Sequence, residues 1–285
     1  MSEYRVVARK ERDILGEGPL WSPSRGGLFW VDILAPTLHF LHLESGITSW
    51  PMPEPIGWVI ERRGAAGLIA GFKSGFAELD LDPQAIRPIG DPEPDRPDNR
   101  LNDAKADAQG RIWAGSMGKS GEPASGALHR LDADGSWRKV DEDYGVANGP
   151  AFSLDGRTLY HTDSRAHVVY AFDLAEDGML SGKRPFIRFE DGWGAPDGMT
   201  VDAEGGLWVA HWGGGRISRF HPDGRHDRSI ALPATNITSI AFAGEKLDRM
   251  FVTSSTIDAE GEEHGGALFE VFAGATGLPA GQFAA

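Results

Sequence analysis

The sequence predicts an all-β fold, a six-bladed β-propeller built as a single domain from residues 1–285. Three observations predict it: a repeated strand start, an alternating strand after each repeat, and almost no helical periodicity. Gly or Pro interrupts nearly every window of ten residues, which favours tight turns over helices. A β-sandwich is the structural alternative, but it does not explain six similar units. No linker divides the chain, so we expect one domain.

The repeated strand start is a glycine followed by a short apolar run. It occurs at intervals of 40 to 49 residues, at Gly27, Gly67, Gly110, Gly156 and Gly205, with a cruder version at 248–252. A strand of alternating apolar and polar residues follows each start, as in 127–131 and 216–220. Repeats of about 45 residues with about four strands each are typical of propeller blades.

Three further segments have predicted places in this ring. Val6-Val7-Ala8 precedes the first unit, and we expect it to pair with the last blade and close the ring, because closure removes exposed sheet edges. The longest irregular stretch, 83–99, is rich in Pro and Asp and is predicted to be a loop. Residues 118–125 and 258–266 are predicted to be loops that rise over the channel mouth and shape a pocket.

Composition excludes several classes of function. The chain has 28 basic and 42 acidic residues and a net charge of −14, which argues against nucleic acid or an anionic membrane as the main partner. It has no cysteine, so disulfides, thiolate zinc sites and cysteine nucleophiles are impossible. The first residues are polar and charged, and no apolar run approaches the ~20 residues of a spanning helix. We therefore expect a cytoplasmic protein.

Oxygen-bearing side chains recur just before the innermost strand of several units. Asn102, Asn148 and Asp197 each lie eight residues before the turn glycine, and Glu17 lies ten before Gly27. Innermost strands line the channel of a propeller, so these side chains are expected to converge on its axis. Two carboxylates and two carboxamides form a hard-oxygen site that favours Ca²⁺, Mg²⁺ or Mn²⁺. The alternative is that each side chain only bonds its own turn.

Other candidate groups have weaker signals. His161, Asp163 and His211 are candidate ligands or bases, although a strand histidine is more often structural. The recurring aromatic residues are predicted to pack between blades, and they are Trp30, Trp113, Tyr160 and Trp208. Three further tryptophans either line the mouth or cover turns, and they are Trp58, Trp193 and Trp212.

Four segments of the chain resemble motifs of the SMP-30/gluconolactonase/luciferin-regenerating family, which includes regucalcin and bacterial sugar lactonases. They are Leu15-Gly16-Glu17-Gly18-Pro19, Arg100-Leu101-Asn102-Asp103, Asn148-Gly149-Pro150 and Pro196-Asp197-Gly198. The resemblance runs from about residue 13 to about 272, in the family's order. It implies a six-bladed propeller with one divalent metal in the channel, for which Ca²⁺, Zn²⁺, Mn²⁺ and Fe²⁺ remain open.

The resemblance also implies roles for individual residues. Glu17, Asn148 and Asp197 are the implied metal ligands. Asn102 is implied to lie beside the metal and touch the substrate or a metal-bound water, and Arg100 to bond sugar hydroxyls or the lactone oxygen. Asp103 is implied to brace the loop.

The implied reaction is the hydrolysis of a sugar-acid lactone, such as glucono-, xylono- or arabinono-lactone, to the aldonic acid. The metal polarises the carbonyl, and the general base is either Asp197 or a metal-bound hydroxide. Regucalcin-like members carry a substrate-contacting glutamate shortly after the methionine of this blade. Here Met117 is followed by Gly118-Lys119-Ser120, and Glu122 is slightly displaced, so the contacts at the far end of the substrate, and with them its identity, stay open.

Two alternatives to a lactonase remain. One is phosphotriester hydrolysis, which needs a more apolar mouth than Arg100, Asn102 and His211 suggest. The other is a calcium-binding scaffold without activity, which has no use for a polar channel mouth. The sequence does not indicate which lactone is used or the oligomeric state.

Overall fold

The computed structural model describes residues 3–121 and 123–284, and these residues form strands, turns and loops without a helix. The strands in chain order are β1 (Tyr4–Val6), β2 (Gly16–Ser22), β3 (Gly27–Asp32), β4 (Thr37–His42), β5 (Gly46–Pro51), β6 (Ile56–Glu61), β7 (Leu68–Phe72), β8 (Gly75–Leu81), β9 (Gln84–Gly90), β10 (Asn99–Ala106), β11 (Ile112–Gly118), β12 (Gly126–Leu131), β13 (Trp137–Tyr144), β14 (Ala147–Phe152), β15 (Thr158–Asp163), β16 (Val168–Leu174), β17 (Leu180–Arg188), β18 (Ala195–Val201), β19 (Leu207–Trp212), β20 (Arg216–Phe220), β21 (His226–Ala231), β22 (Asn236–Ala243), β23 (Arg249–Ser255) and β24 (Phe269–Val271). Within the described residues, no helix is long and apolar enough to span a membrane.

The strands form six four-stranded antiparallel sheets arranged as a closed ring. Blades 1 to 5 are the consecutive groups β2–β5, β6–β9, β10–β13, β14–β17 and β18–β21, and blade 6 combines β22, β23 and β24 with β1. The first strand of each group contacts the first strands of both neighbouring blades, so these six inner strands surround one channel. The prediction of a six-bladed propeller is confirmed.

The first strand of the chain completes the last blade. β1 runs antiparallel to β24, with Tyr4 opposite Val271 and Val6 opposite Phe269. The backbone N–H of Val7 donates to the carbonyl of Leu268 at 2.8 Å. The predicted pairing of the N-terminal segment with the last blade is confirmed, although the strand begins two residues earlier than expected. Its hydrogen bonds cover the edge of β24 and join the two ends of the ring.

The predicted loop at 83–99 is wrong in its first half. β9 lies there and pairs with β8 as the outermost strand of blade 2. Its Pro88 disfavoured a strand assignment, because proline donates no ladder hydrogen bond. An outermost strand has one edge facing solvent, where a missing donor costs little.

The recurring aromatic residues pack between neighbouring blades, as predicted. Trp30, Trp113 and Trp208 are fully buried, and Tyr160 is buried in the equivalent strand of blade 4. Each indole N–H donates to a buried aspartate, with distances of 3.0 Å to Asp13, 2.9 Å to Asp107 and 2.8 Å to Asp202. The polar edge of each large ring is therefore satisfied in the core.

Every inner strand contains a bulge at a similar place. The register with the second strand shifts within 17–20, 56–58, 101–104, 148–151, 196–199 and 237–240. A bulge leaves residues out of the ladder and re-aims their side chains. The bulges of blades 1, 3, 4 and 5 contain the four oxygen-bearing residues that the sequence singled out.

The C-terminal tail, residues 272–284, crosses the face of the ring at which the inner strands end. Backbone hydrogen bonds tie it to blades 5, 6, 2 and 3 in turn: Ala203 N to Thr276 O at 2.8 Å, Gly277 N to Leu247 O at 2.7 Å, Phe283 N to Glu61 O at 2.8 Å and Ala284 N to Gly110 O at 3.0 Å. Its residues 278–281 line a small cavity together with the ends of the inner strands. The tail therefore covers this end of the channel, which we call the far opening.

Candidate functional site

A cavity of about 810 Å³ occupies the other end of the channel, at the beginnings of the inner strands. We call this end the near opening. All five site residues that the sequence predicted line this cavity: Glu17, Arg100, Asn102, Asn148 and Asp197. Asp103 instead lines the cavity at the far opening, and its Oδ1 accepts the N–H of Ala104 at 2.7 Å. The fold thus brings together residues that lie up to 180 positions apart in the chain.

Close packing of the inner strands holds these residues near the axis. A Cβ atom at Gly57 would lie 2.5 Å from the carbonyl oxygen of Asn102, and one at Gly198 would overlap the side chain of Ser239. Glycine at these two positions lets the inner strands approach each other at the bulges. Side chains at neighbouring bulges therefore share one small space.

Glu17 and Asp197 are the buried carboxylates of the cavity wall in the described residues, and each is only 4% exposed. Oε2 of Glu17 accepts the N–H of Gly18 at 3.1 Å. Oδ1 of Asp197 is buried and has no hydrogen-bond partner in the described residues. Burial, and then the charge of Asp103, raises the pKa of Glu17 to about 8. Burial, and then the charge of Glu17, raises the pKa of Asp197 well above its usual range.

The two asparagines form a hydrogen-bonded chain with Arg100. Nδ2 of Asn102 donates to Oδ1 of Asn148 and to the carbonyl of Ala147, both at 2.9 Å. Nη1 of Arg100 donates to Oδ1 of Asn102 at 2.6 Å. Nδ2 of Asn148 donates to Oγ of Ser164 at 2.9 Å, which orients the oxygen of that amide away from the serine. Both amide hydrogens of Asn102 are therefore already used within the protein.

Arg100 interacts electrostatically with both buried carboxylates. Burial lowers its pKa to about 10, while the charges of Glu17 and Asp197 act in the opposite direction. The guanidinium therefore stays protonated near neutral pH. Besides the bonds of Nη1 to Asn102 and to the carbonyl of Leu101, the described residues give it no further partner. Its other N–H groups are free to donate to a ligand.

The donor chemistry of the cavity fits a divalent cation. Carboxylate and carboxamide oxygens are hard ligands, and a cation near Asp197 would satisfy the unpartnered Oδ1 and offset the repulsion from Glu17. The described residues contain no group of three or more His, Cys, Asp and Glu placed to hold a metal. Any such site in this cavity therefore needs an asparagine oxygen beside the two carboxylates.

The two histidines considered from the sequence do not line this cavity. His211 is fully buried, and its Nδ1 donates to the carbonyl of Trp193 at 2.8 Å. Burial lowers the pKa of His211 to about 4. His161 is also fully buried, with its ring edge-on to Tyr144, and burial lowers its pKa to about 3. The interpretation of His211 as part of a polar channel mouth is wrong, because the ring turns into the blade.

The three tryptophans outside the repeated aromatic position lie in different parts of the structure. Only Trp212 lines the cavity, where it is partly exposed. Trp58 is buried and lines the far cavity, and Trp193 packs against Phe189 and His211. The sequence could not separate them, because the direction of each ring depends on the loop that carries it.

The rest of the cavity wall comes from loops and strand ends, and it includes Lys119 of the predicted pocket-forming loop 118–125. Charged and polar residues of the wall are Lys73, Asp98, Lys119, Ser164, Arg165 and His167. Apolar residues of the wall are Leu15, Leu34, Pro55, Met117, Val146, Ala195, Trp212 and Ile257. The mouth is thus partly apolar, which the sequence interpretation did not anticipate. Glu122, considered for a substrate contact, lies outside the described residues.

Comparisons of the sequence and of the structure with known proteins point to the same group of proteins. The profile described as SMP-30/Gluconolactonase/LRE-like region matches residues 15–256. The pentonolactonase XacC of Haloferax volcanii is 34% identical, with 98% of this chain and 97% of that protein covered. The 6-deoxy-6-sulfogluconolactonase of Pseudomonas putida is 35% identical, with 92% and 91% covered. The solved structure of regucalcin from Agrobacterium tumefaciens, described as a calcium-binding protein, is 28% identical, with a TM-score of 0.91 and 96% and 95% covered.

Proposed function

The chain belongs to the SMP-30/gluconolactonase/LRE-like family, and we propose that it is a metal-dependent lactonase that hydrolyses sugar-acid lactones to aldonic acids. The observation that carries this proposal is the convergence of Glu17, Asn148, Asp197 and Arg100 on one cavity. The relatives named above act on a pentonolactone and on a substituted gluconolactone. Both are cyclic esters of sugar acids, so we extend this substrate class to the chain.

We propose that Glu17, Asn148 and Asp197 hold one divalent cation. A bound cation would polarise the lactone carbonyl and stabilise the negative charge that develops on its oxygen. The unpartnered Oδ1 of Asp197 and the raised pKa values of both carboxylates support this assignment. The regucalcin structure is described as calcium-binding, so Ca²⁺ is the first ion to test, followed by Mn²⁺, Zn²⁺ and Fe²⁺, which oxygen donors also accept.

Asp197 is the proposed general base. The carboxylate oxygen of Asp197 that does not hold the cation would accept a proton from the water that attacks the carbonyl carbon. A bond then forms between the water oxygen and that carbon, and the bond from the carbon to the ring oxygen breaks. The proton passes to the ring oxygen as the ring opens, so the products are a carboxyl group and a hydroxyl group.

We assign different roles to Arg100 and Asn102. The free N–H groups of Arg100 would donate to the hydroxyl groups or ester oxygen of the lactone. Asn102 has no spare hydrogen, because both bond Asn148 and Ala147. We therefore assign Asn102 as a positioning residue that holds Arg100 and Asn148, rather than as a direct substrate contact.

The test is an assay of acid release from pentono- and hexono-lactones, corrected for spontaneous hydrolysis. The purified protein is first treated with a chelator and then given Ca²⁺, Mn²⁺, Zn²⁺ or Fe²⁺. We expect turnover to stop with the chelator and return with at least one ion. Turnover only of a phosphotriester such as paraoxon would support the alternative hydrolase, and metal binding without any turnover would support the scaffold.

A further inference from the structure

The wall of the near cavity is chemically divided between its two sides. Lys73 follows β7 in blade 2, Arg100 and Lys119 belong to blade 3, and Arg165 lies between β15 and β16 in blade 4. The four Lys and Arg residues of the described wall therefore come from three adjacent blades. The opposite side, from blades 5, 6 and 1, is mainly apolar, with Trp212, Ile257, Leu15 and Leu34. This arrangement is directional, because a ligand centred on the axis meets positive charge on one side only.

The two lysines are available to a ligand. Both are exposed, and neither forms an ion pair within 4.0 Å in the described part of the chain. Asp98 is the only carboxylate of the described cavity wall besides Glu17 and Asp197, and it contacts neither ammonium within that distance. The backbone N–H of Lys73 bonds the carbonyl of Pro55 at 2.8 Å, which fixes the turn that carries the side chain.

This local positive charge stands out in an acidic protein. The chain has a net charge of −14 and only seven lysines, and two of the seven line this one cavity. A neutral sugar lactone can only accept hydrogen bonds from an ammonium group, whereas an anionic group also gains a charge–charge attraction. An anionic ligand would be repelled by most of this surface and attracted to the cavity by the two lysines.

We propose that the preferred lactone carries an anionic group on the carbon farthest from the lactone carbonyl, and that Lys73 and Lys119 bind this group. The inference rests on the proposed function, since the carbonyl is placed at the axis beside Glu17 and Asp197. Carboxylate, sulfonate and phosphate share the required charge and oxygen acceptors. The substrate must then come from a reaction that oxidises the anomeric carbon of an acidic sugar and so forms the lactone.

The experiment compares lactones that differ only at the distal carbon. D-Glucono-1,4-lactone has a neutral hydroxymethyl group there, and D-glucaro-1,4-lactone has a carboxylate on the same ring. The 6-phospho and 6-sulfo gluconolactones provide the phosphate and sulfonate arms. At low ionic strength we expect kcat/KM to be about tenfold or more higher for at least one anionic lactone, and the preference to fall as salt is added.

Variants then test the two lysines. The double substitution Lys73→Met and Lys119→Met is expected to reduce the ratio of anionic to neutral kcat/KM by about tenfold, mainly through KM. Lys246→Met is a control for the loss of a lysine charge away from the cavity, because Lys246 lies in an exposed turn next to the C-terminal tail at the far opening. It is expected to leave the ratio unchanged.

Two failures are distinguishable. Equal or better turnover of the neutral lactone, with no response to the double substitution, overturns this inference and leaves the lactonase proposal intact. Absence of turnover for every lactone with every metal overturns the proposed function, and this inference with it.

Discussion

The two openings of the channel are built from the same six strands and differ in almost every other respect. The near opening holds a cavity of about 810 Å³ lined by carboxylates, amides and cations. The far opening holds a cavity of about 330 Å³ that the C-terminal tail covers. The bulges direct side chains toward the near opening, whereas the tail closes the far one. The difference supports placing the proposed chemistry at the near opening and a stabilising role at the far one.

The largest expected effect is the loss of the proposed base at the near opening. Asp197→Asn keeps the shape of the side chain but removes its basicity, so we expect kcat to fall about 10³-fold. The free energy of unfolding should not fall, because the change also removes a buried repulsion with Glu17. Steady-state lactonase assays and thermal melts would measure both.

The matched control for this prediction is at the far opening. Asp155→Asn makes the same substitution at an exposed position beside the far cavity, and kcat is expected to stay within about twofold of the wild type. A normal kcat in Asp197→Asn would remove that residue from the mechanism.

The second effect concerns stability at the far opening. Phe283 is 2% exposed and packs in a cluster with Trp58, Ile60 and Ile112. Phe283→Ala is expected to lower the free energy of unfolding by about 3–5 kcal/mol, and kcat/KM of the folded protein should hardly change. Phe272→Ala is the control, since Phe272 lies in the same tail and is 58% exposed. Equal stability of the two variants in denaturant melts would show that the tail does not hold the far opening.

The third effect concerns the positioning role of Asn102. Asn102→Ala breaks the bonds to Arg100 and Asn148, so we expect metal affinity and kcat/KM to fall about 10- to 100-fold. Titration of metal against a chelator and steady-state kinetics would measure these changes. A variant that loses only affinity for the lactone, with metal affinity intact, would indicate a direct substrate contact instead.

The smallest effect is a pH dependence of stability in the metal-free protein. The folded-state pKa of Glu17 is raised to about 8, so this group favours the folded state at low pH and loses that contribution as pH rises through 8. His161 and His211 have lowered pKa values and act in the opposite direction, but only below about pH 6.5. Between pH 6.5 and 8 we therefore expect the melting temperature to fall as pH rises, with chelator present.

Saturating Ca²⁺ should flatten this slope, because a bound cation stabilises both carboxylates in their charged forms. Glu17→Gln should reduce the slope without metal. Identical slopes with and without Ca²⁺, in a protein shown by titration to bind the ion, would place the cation elsewhere.

Much of the fold was predictable from local patterns. A glycine at a strand start, an alternating strand and turn residues recur in each blade. The repeat is visible in the sequence because each unit has the same local pattern. The positions of Glu17, Asn102, Asn148 and Asp197 were predictable for the same reason. β9 was missed because Pro88 suits an outermost strand only when the neighbouring strand is known.

The cavity wall was not predictable to the same degree. Lys73 and Lys119 lie in two different loops and Trp212 ends β19, and nothing in their local sequence marks them as neighbours. His211 shows the converse case, since a plausible base by sequence turned out to bond Trp193 inside a blade. The orientation and contacts of such a side chain depend on packing between segments that are distant in the chain.

The sequence by itself determined the repeat, the blade strands and the oxygen donors, because these depend on periodicity and turn chemistry within about 45 residues. Only the tertiary structure decided that the bulges point these donors at one opening and that the tail covers the other opening. It also decided that Asn102 donates both amide hydrogens to neighbouring residues. The physical reason is that ring closure sets the distances between residues of different blades. The separation of these residues along the chain does not determine those distances.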